Sequence, residues 1–125
     1  MIISVGTDAL EIDRMALSLE RTGAGFERRV FTESEAAYCK RKKDPSSSFA
    51  ARFAAKEAMM KALGRGLFQG AAFREIEVVR GPRGKPSISL TGGAKTIFES
   101  LGGVAIHLSL THSRNLAIAV IVLEG

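Results

Sequence analysis

The sequence predicts an α+β fold, an antiparallel sheet packed against helices with one long helix at the centre. Three observations carry this prediction. Residues 48–64 read SFAARFAAKEAMMKALG, a run of helix formers closed by Gly64, where a left-handed C-terminal residue belongs. Two pairs of β-type runs, 75–80 with 85–90 and 104–111 with 116–123, are each joined by a short turn-rich segment, as in antiparallel hairpins. A further run rich in Ile and Val, residues 1–5, opens the chain.

The opening strand leads into Gly6-Thr7-Asp8, and residues 9–20 carry a helical pattern with Leu10, Met15 and Leu19 apolar. Asp8 with Glu11 three residues later fits a capping box, and Asp13 is a second candidate cap. The alternative for Asp8 is a carboxylate held at a strand end and free to bind a cation. Arg14 and Arg21 lie one heptad apart, hence on similar faces, and Arg28 and Arg29 follow a Gly-rich bend. Such arginines either solvate a surface or dock an acidic helix. Thr32 with Glu35 is a second capping-box pattern and predicts a helix running through Cys39. It ends in Lys40-Arg41-Lys42-Lys43. Cations there complement the helix dipole; four in a row exceed that need and suggest phosphate or an acidic protein.

The central helix has Ser46, Ser47 and Ser48 as candidate N-caps. On a helical wheel Phe49, Phe53, Met60 and Leu63 form one apolar side, and Ala51, Ala55, Ala58 and Ala62 a ridge of small residues. A helix apolar on two faces is expected to be buried on both. Lys56 falls within the large apolar stripe, where a lysine is costly unless paired or at an interface. Glu57 and Lys61 sit one turn apart, with Arg52 on the far flank of Lys56. They read either as an exposed i,i+4 ion pair or as an acidic metal ligand among cations, suited to a metal-bound diphosphate.

A glycine-punctuated loop spans 65–72. In the first hairpin Gly81-Pro82-Arg83-Gly84 is a tight turn, and Arg83 and Lys85 at its tip can serve as solubilising charge. Residues 91–101 form a short helix closed by Gly102-Gly103. In the second hairpin Val104, Ile106, Leu108 and Leu110 alternate with Ala105, His107, Ser109 and Thr111, giving one polar face. The last strand is apolar on both faces, as in a buried sheet or a subunit interface. His107 and His112 are an odd number of residues apart and cannot share a face of a regular strand.

A chain of 125 residues fits one domain with its own core, 1–125. The net charge of +5 points to an anionic partner, while seven Phe, one Tyr and no Trp leave little for a base-stacking nucleic-acid surface. Cys39 stands alone and can form no internal disulfide, so a cytoplasmic setting is expected. The opening run lacks a basic stretch and cleavage site, and the apolar run 116–123 is too short to span a bilayer. No membrane or nucleic-acid role is expected.

Four motifs in order carry a family resemblance. Gly6-Thr7-Asp8-Ala9-Leu10-Glu11-Ile12-Asp13-Arg14 resembles the G-x-D-x-x-E-x-x-R signature of phosphopantetheinyl transferases. Phe53-Ala54-Ala55-Lys56-Glu57-Ala58 with Lys61 resembles their [FW]-x-x-K-E-A-x-x-K signature, with Phe53 where many relatives carry Trp. Gly84-Lys85-Pro86 and the segment from His107 to Ser113 fit as well. The short length resembles the holo-acyl-carrier-protein synthase type.

The resemblance implies transfer of 4′-phosphopantetheine from coenzyme A to a serine of apo acyl carrier protein, releasing adenosine 3′,5′-bisphosphate, in fatty acid biosynthesis. It implies magnesium as cofactor, with Asp8 and Glu57 as ligands. Glu57, directly or through a metal-bound water, is the first candidate base, with Asp8 the second; Lys61 would hold the diphosphate and stabilise the displaced oxygen. Arg52 matches a position that contacts the 3′-phosphate, with Lys43 and His112 as helpers, and Gly84, Lys85 and Pro86 match a segment beside the adenine. Arg14, Arg21, Arg28 and Arg29 match the region that meets the carrier protein. A homotrimer with sites between subunits is implied too. On that expectation Lys56 finds acceptors in a neighbouring chain, and a charge at Ile121 breaks the assembly. The competing reading is a non-catalytic basic module that binds RNA or an acidic protein.

Overall fold

The computed structural model describes residues 1–64 and 69–125. Strand β1 (Ile2–Glu11) leads into helix α1 (Ile12–Val30), followed by α2 (Glu33–Lys40) and α3 (Pro45–Leu63). A hairpin of β2 (Ile76–Arg80) and β3 (Pro86–Leu90), helix α4 (Gly92–Ser100), and a hairpin of β4 (Ala105–His112) and β5 (Leu116–Glu124) complete the chain. One sheet has the order β1-β5-β4, the other is the β2-β3 pair, and every pairing is antiparallel. Helix α3 packs against β1 and β5 on one side and meets α1, α2 and β2 on others. The α+β fold with a long central helix is thus as expected. The residues 65–68 of the expected 65–72 loop lie outside the described residues.

Both faces of α3 are buried, as its two apolar ridges require. Ala55, Ala58, Met59 and Met60 join Ile76, Ala119, Ile121 and Leu123 in one core, while Phe49, Ala50 and Ala51 join Ile12, Met15 and Phe31 in a second. The helix is capped by Asp44, whose carboxylate accepts from the Ser47 amide, and not by one of the serines. Pro45 at the first helical position, where no amide donor is needed, moves the start upstream. Gly64 closes it at φ 72°. The Thr32–Glu35 capping box of α2 forms as expected. Its Glu35 does more than cap, as shown below.

The N-terminal segment departs from expectation. The strand continues from Ile2 to Glu11 and the helix begins only at Ile12. Asp8 and Asp13 therefore cap nothing, and the residue before the helix, Glu11, makes no side-chain cap bond. Pairing explains this: β5 continues alongside through Leu10↔Ala117 and Glu11↔Leu116, and the Ile12 amide bonds the Asn115 carbonyl at 2.9 Å. Sheet hydrogen bonding here overrides the local helical pattern. Gly6 allows the close packing of β1 on α3, since an added Cβ would collide with the Ala58 carbonyl oxygen. The expected Gly-rich bend is also absent, for α1 runs unbroken to Val30 with Ile12, Met15, Phe26 and Val30 packed inward. Burial of that stripe offsets the low helix propensity of glycine.

Lys56 is fully buried, and its acceptors belong to its own chain. Its ammonium lies 2.7 Å from Glu35 Oε1 and donates to the carbonyls of Ile76 at 2.6 Å and Phe73 at 3.0 Å. Glu35 in turn accepts from the Thr32 and Val78 amides. This lysine therefore ties α3 to α2 and β2, and the expectation of acceptors from a neighbour is corrected. Ile121 is likewise wrongly placed by that expectation: it is fully buried against α3, so a charge there would disrupt the fold itself. The outward face of β5 carries Ile118 and Val120, 37% and 36% exposed, beside Val5. The inner-face residues Ala117, Ala119, Ile121 and Leu123 are buried.

Candidate active site

Asp8 sits on the inward face of β1, paired with Ala119, and Glu57 projects from α3 next to Ala58, the residue that Gly6 accommodates. The two carboxylates feel each other. Burial pushes the Glu57 pKa up, the charge of Asp8 adds to the rise, and Lys61 opposes it. Lys61 bonds not to Glu57 but to Asp8, with its ammonium 3.0 Å from Asp8 Oδ1 and 3.0 Å from the Thr7 carbonyl. The simple i,i+4 pair is thus replaced by a three-residue cluster joining strand and helix. Half-burial of Glu57 beside a second carboxylate is unfavourable without a cation, and the donor set fits magnesium, which takes one or two carboxylates with phosphate and water oxygens. Among the described residues no group of three or more His, Cys, Asp and Glu assembles as a closed protein cage.

A second region lies around Arg52. A cavity of about 470 Å³ is lined by Arg52, Lys43 and His112, all expected from the sequence, by Lys42 of the basic run read as a phosphate or acidic-protein contact, and by Tyr38 and Arg80, which the sequence reading missed. Arg52 is 2% exposed. Its guanidinium stacks 4.1 Å over the Tyr38 ring and bonds Ser48, leaving a buried Nε with no partner. An arginine buried this way is poised for an anion. His107 points to the other face and pairs with Glu124 at 2.8 Å, so the two histidines separate as the strand parity requires.

A neighbouring cavity of about 340 Å³ is lined by Lys85, Pro86 and Gly81 with Ile106 and Leu108 of β4. Gly84, at φ 75°, helps turn the hairpin and accepts from the Arg80 guanidinium without lining this cavity. Arg14, Arg21, Arg28 and Arg29 are all exposed on α1. Repeats of seven place the first three along one stripe of the helix.

These groups do not converge within one chain. Asp8 belongs to β1 and His112 to β4, the two edges of a sheet whose middle strand is β5. That separates the edges by roughly 10 Å. Arg52 and Lys61, nine residues apart on α3, point about 180° from each other around the helix axis. The carboxylate cluster and the cation-lined cavity therefore occupy opposite sides of the central helix.

Comparison with known proteins gives the family. A holo-[acyl-carrier-protein] synthase of Ruminiclostridium cellulolyticum is 45% identical over 99% of this chain and 93% of its own length. One from Koribacter versatilis is 42% identical over 99% of both chains. Among solved structures, the holo-[acyl-carrier-protein] synthase of Neisseria meningitidis superposes with a TM-score of 0.91 at 30% identity over the whole of both chains. That of Helicobacter pylori, solved in complex with coenzyme A, gives 0.85 at 32% identity over 96% of this chain and 99% of that one. The family profile itself matches residues 4–121, from the strand that holds Asp8 to the core of β5, so the chain belongs to the 4′-phosphopantetheinyl transferase superfamily.

Proposed function

We infer that this protein is a holo-[acyl-carrier-protein] synthase, moving 4′-phosphopantetheine from coenzyme A to a serine of apo acyl carrier protein. The observation that carries the reading is the coupled Asp8–Glu57 pair beside Lys61, since a plain anion binder has no use for two carboxylates next to phosphate. The carrier serine attacks the phosphorus that bears the pantetheine arm, and the bond to the adenosine phosphate breaks. Glu57, directly or through a water, takes the serine proton. Lys61 stabilises the oxygen of the departing adenosine 3′,5′-bisphosphate. Asp8 and Glu57 would hold magnesium, which when bound would supply neutralisation of charge on the diphosphate. Arg52, Lys43 and His112 bind the 3′-phosphate, Lys85 and Pro86 border the adenine, and the arginines of α1 meet the acidic carrier.

Because the two regions lie on opposite sides of α3, a complete site takes the carboxylate cluster from one chain and the cavity from another. A homotrimer satisfies this, with the outward strip of Val5, Ile118 and Val120 covered by its symmetry mates. Fatty acid biosynthesis in the cytoplasm is the setting that goes with this chemistry and with the lone buried Cys39. Among the described residues no helix is long and apolar enough to cross a membrane.

The test is incubation with coenzyme A, magnesium and apo acyl carrier protein, followed by weighing the carrier. Gain of one phosphopantetheine arm is expected. No gain, together with thermal stabilisation by an RNA oligomer but not by coenzyme A with magnesium, would return the protein to the class of basic binding modules.

A further inference from the structure

Three cations converge on one aromatic ring. The Arg52 guanidinium lies 4.1 Å from the centroid of Tyr38, the Lys42 ammonium 4.5 Å and the Arg80 guanidinium 5.5 Å. They come from three elements: Arg52 from α3, Lys42 from the segment after α2, and Arg80 from the end of β2. Unshielded cations at such spacing repel one another. The ring face offsets part of that repulsion and fixes where each charge sits. All four residues line the 470 Å³ cavity, and Asp44, the acidic residue in its wall, is engaged in capping α3. Arg52 keeps a buried Nε without a partner, so the protein alone does not satisfy the cluster.

We propose that Tyr38 is a positioning residue that gathers Arg52, Arg80 and Lys42 into a cradle for a phosphate monoester, with Arg80 as a phosphate-binding cation in its own right. Arg80 also donates to the Gly84 carbonyl, so the same side chain links the cradle to the hairpin tip that borders the neighbouring cavity. A ligand with a phosphate at one end and a flat base at the other would be read at both ends by one connected set of groups. The assignment rests on the coenzyme A reading for its ligand, the 3′-phosphate. The cradle itself needs only a phosphate.

Partial burial raises the Tyr38 phenol pKa, but its hydrogen bonding to Lys42 and Arg52 and the nearby charges of Arg80 and Lys42 together bring it below 10. Tyr38 is the sole tyrosine and the chain has no tryptophan, so ultraviolet absorbance and fluorescence report on this cavity alone.

The experiment has two arms. In the kinetic arm, Tyr38→Leu and Arg80→Met should each raise the KM for coenzyme A about tenfold. Their kcat should stay near wild type, as should their KM for dephospho-coenzyme A, the donor that lacks the ribose phosphate. Tyr38→Phe, which keeps the ring face, should restore the coenzyme A value. In the spectroscopic arm, inorganic phosphate should shift the phenol ionisation of wild type upward, and this shift should vanish in Arg80→Met, which keeps its tyrosine. Equal losses for coenzyme A and its dephospho form, or a phenol indifferent to phosphate, would overturn the cradle while leaving the transferase reading intact. A wild type that transfers from neither donor would instead end the transferase reading, and the phosphate titration would still decide on the cradle.

Discussion

Splitting the site across α3 predicts that two inactive chains can rescue each other. In one chain, Glu57→Gln removes the charge from the carboxylate cluster and leaves the cavity intact. In the other, Arg52→Met removes the buried guanidinium, keeps an apolar stem against Tyr38, and leaves the carboxylates intact. The first change should cost roughly 100-fold in kcat. The second should cost roughly 10- to 100-fold in kcat/KM for coenzyme A, the worth of a charged hydrogen-bonding partner. In the proposed homotrimer each site would draw its cluster from one subunit and its cavity from the next. With equal, randomly mixed chains each half is sound with probability one half, so about one quarter of all sites are restored. The chains would be unfolded together, refolded as a mixture and assayed at low coenzyme A, with light scattering to confirm the assembly. Recovery near a quarter of wild-type activity is expected. A mixture no more active than the mean of its parents, at unchanged molecular size, would refute the shared site.

Asp8→Asn should also lose roughly 100-fold in activity while melting near the wild-type temperature, because shape is kept and only the charge beside Lys61 is lost; activity within a few-fold would remove Asp8 from the site. Arg14→Glu or Arg21→Glu should raise the KM for carrier protein about tenfold or more and flatten its salt dependence, with little change for coenzyme A. Lys56→Met should destabilise the fold by about 3 kcal/mol in urea unfolding, since Glu35 is left buried without its cation; a loss below about 1 kcal/mol would contradict the pairing. The last concerns acid. Burial raises the Glu75 pKa, but amide bonds from Ala72, Gly93 and Ala94 outweigh it and hold the value below 4.5. A depressed folded value contributes stability that is present above the unfolded pKa and lost as pH falls through the folded one. Acid unfolding of Glu75→Gln should lack that component below pH 4.5, and an unchanged acid limb would show that the carboxylate does not cap α4.

What could be read from the sequence was mostly local. Helix α3, the capping box at Thr32 and both hairpins depend on residues within a turn or two of each other. Pairing between Asp8 and Ala119, at opposite ends of the chain, leaves no local trace, and the segment from Asp8 to Glu11 mimics a helix start. The partner of Lys56 was hidden for the same reason, as Glu35 already had a sufficient role in its capping box. At the site, Asp8, Glu57 and Lys61 were legible as motif positions, and the structure gathers them. Tyr38 and Arg80 were not, because a lone tyrosine after an alanine pair and an arginine at a strand end look ordinary until α2 and β2 are set side by side.

The contact between Gly6 and Ala58 has a mechanical consequence. Asp8 follows Gly6 by two residues and Glu57 precedes Ala58 by one, so each carboxylate sits within a step of the place where strand and helix backbones touch. Their separation is set there by hard atomic contact, as the opening of a gauge is set by its stop. No loop closure is needed to bring them into range, and a motion that spread them would have to pry the sheet from the central helix. A single methyl group at Gly6 would drive into the Ala58 carbonyl oxygen, so strand and helix would have to part by roughly an ångström or more, carrying one acid away from the other and loosening the core between them. The spacing of the two acids thus inherits the stiffness of the protein interior, and the smallest side chain in the molecule keeps the tolerance.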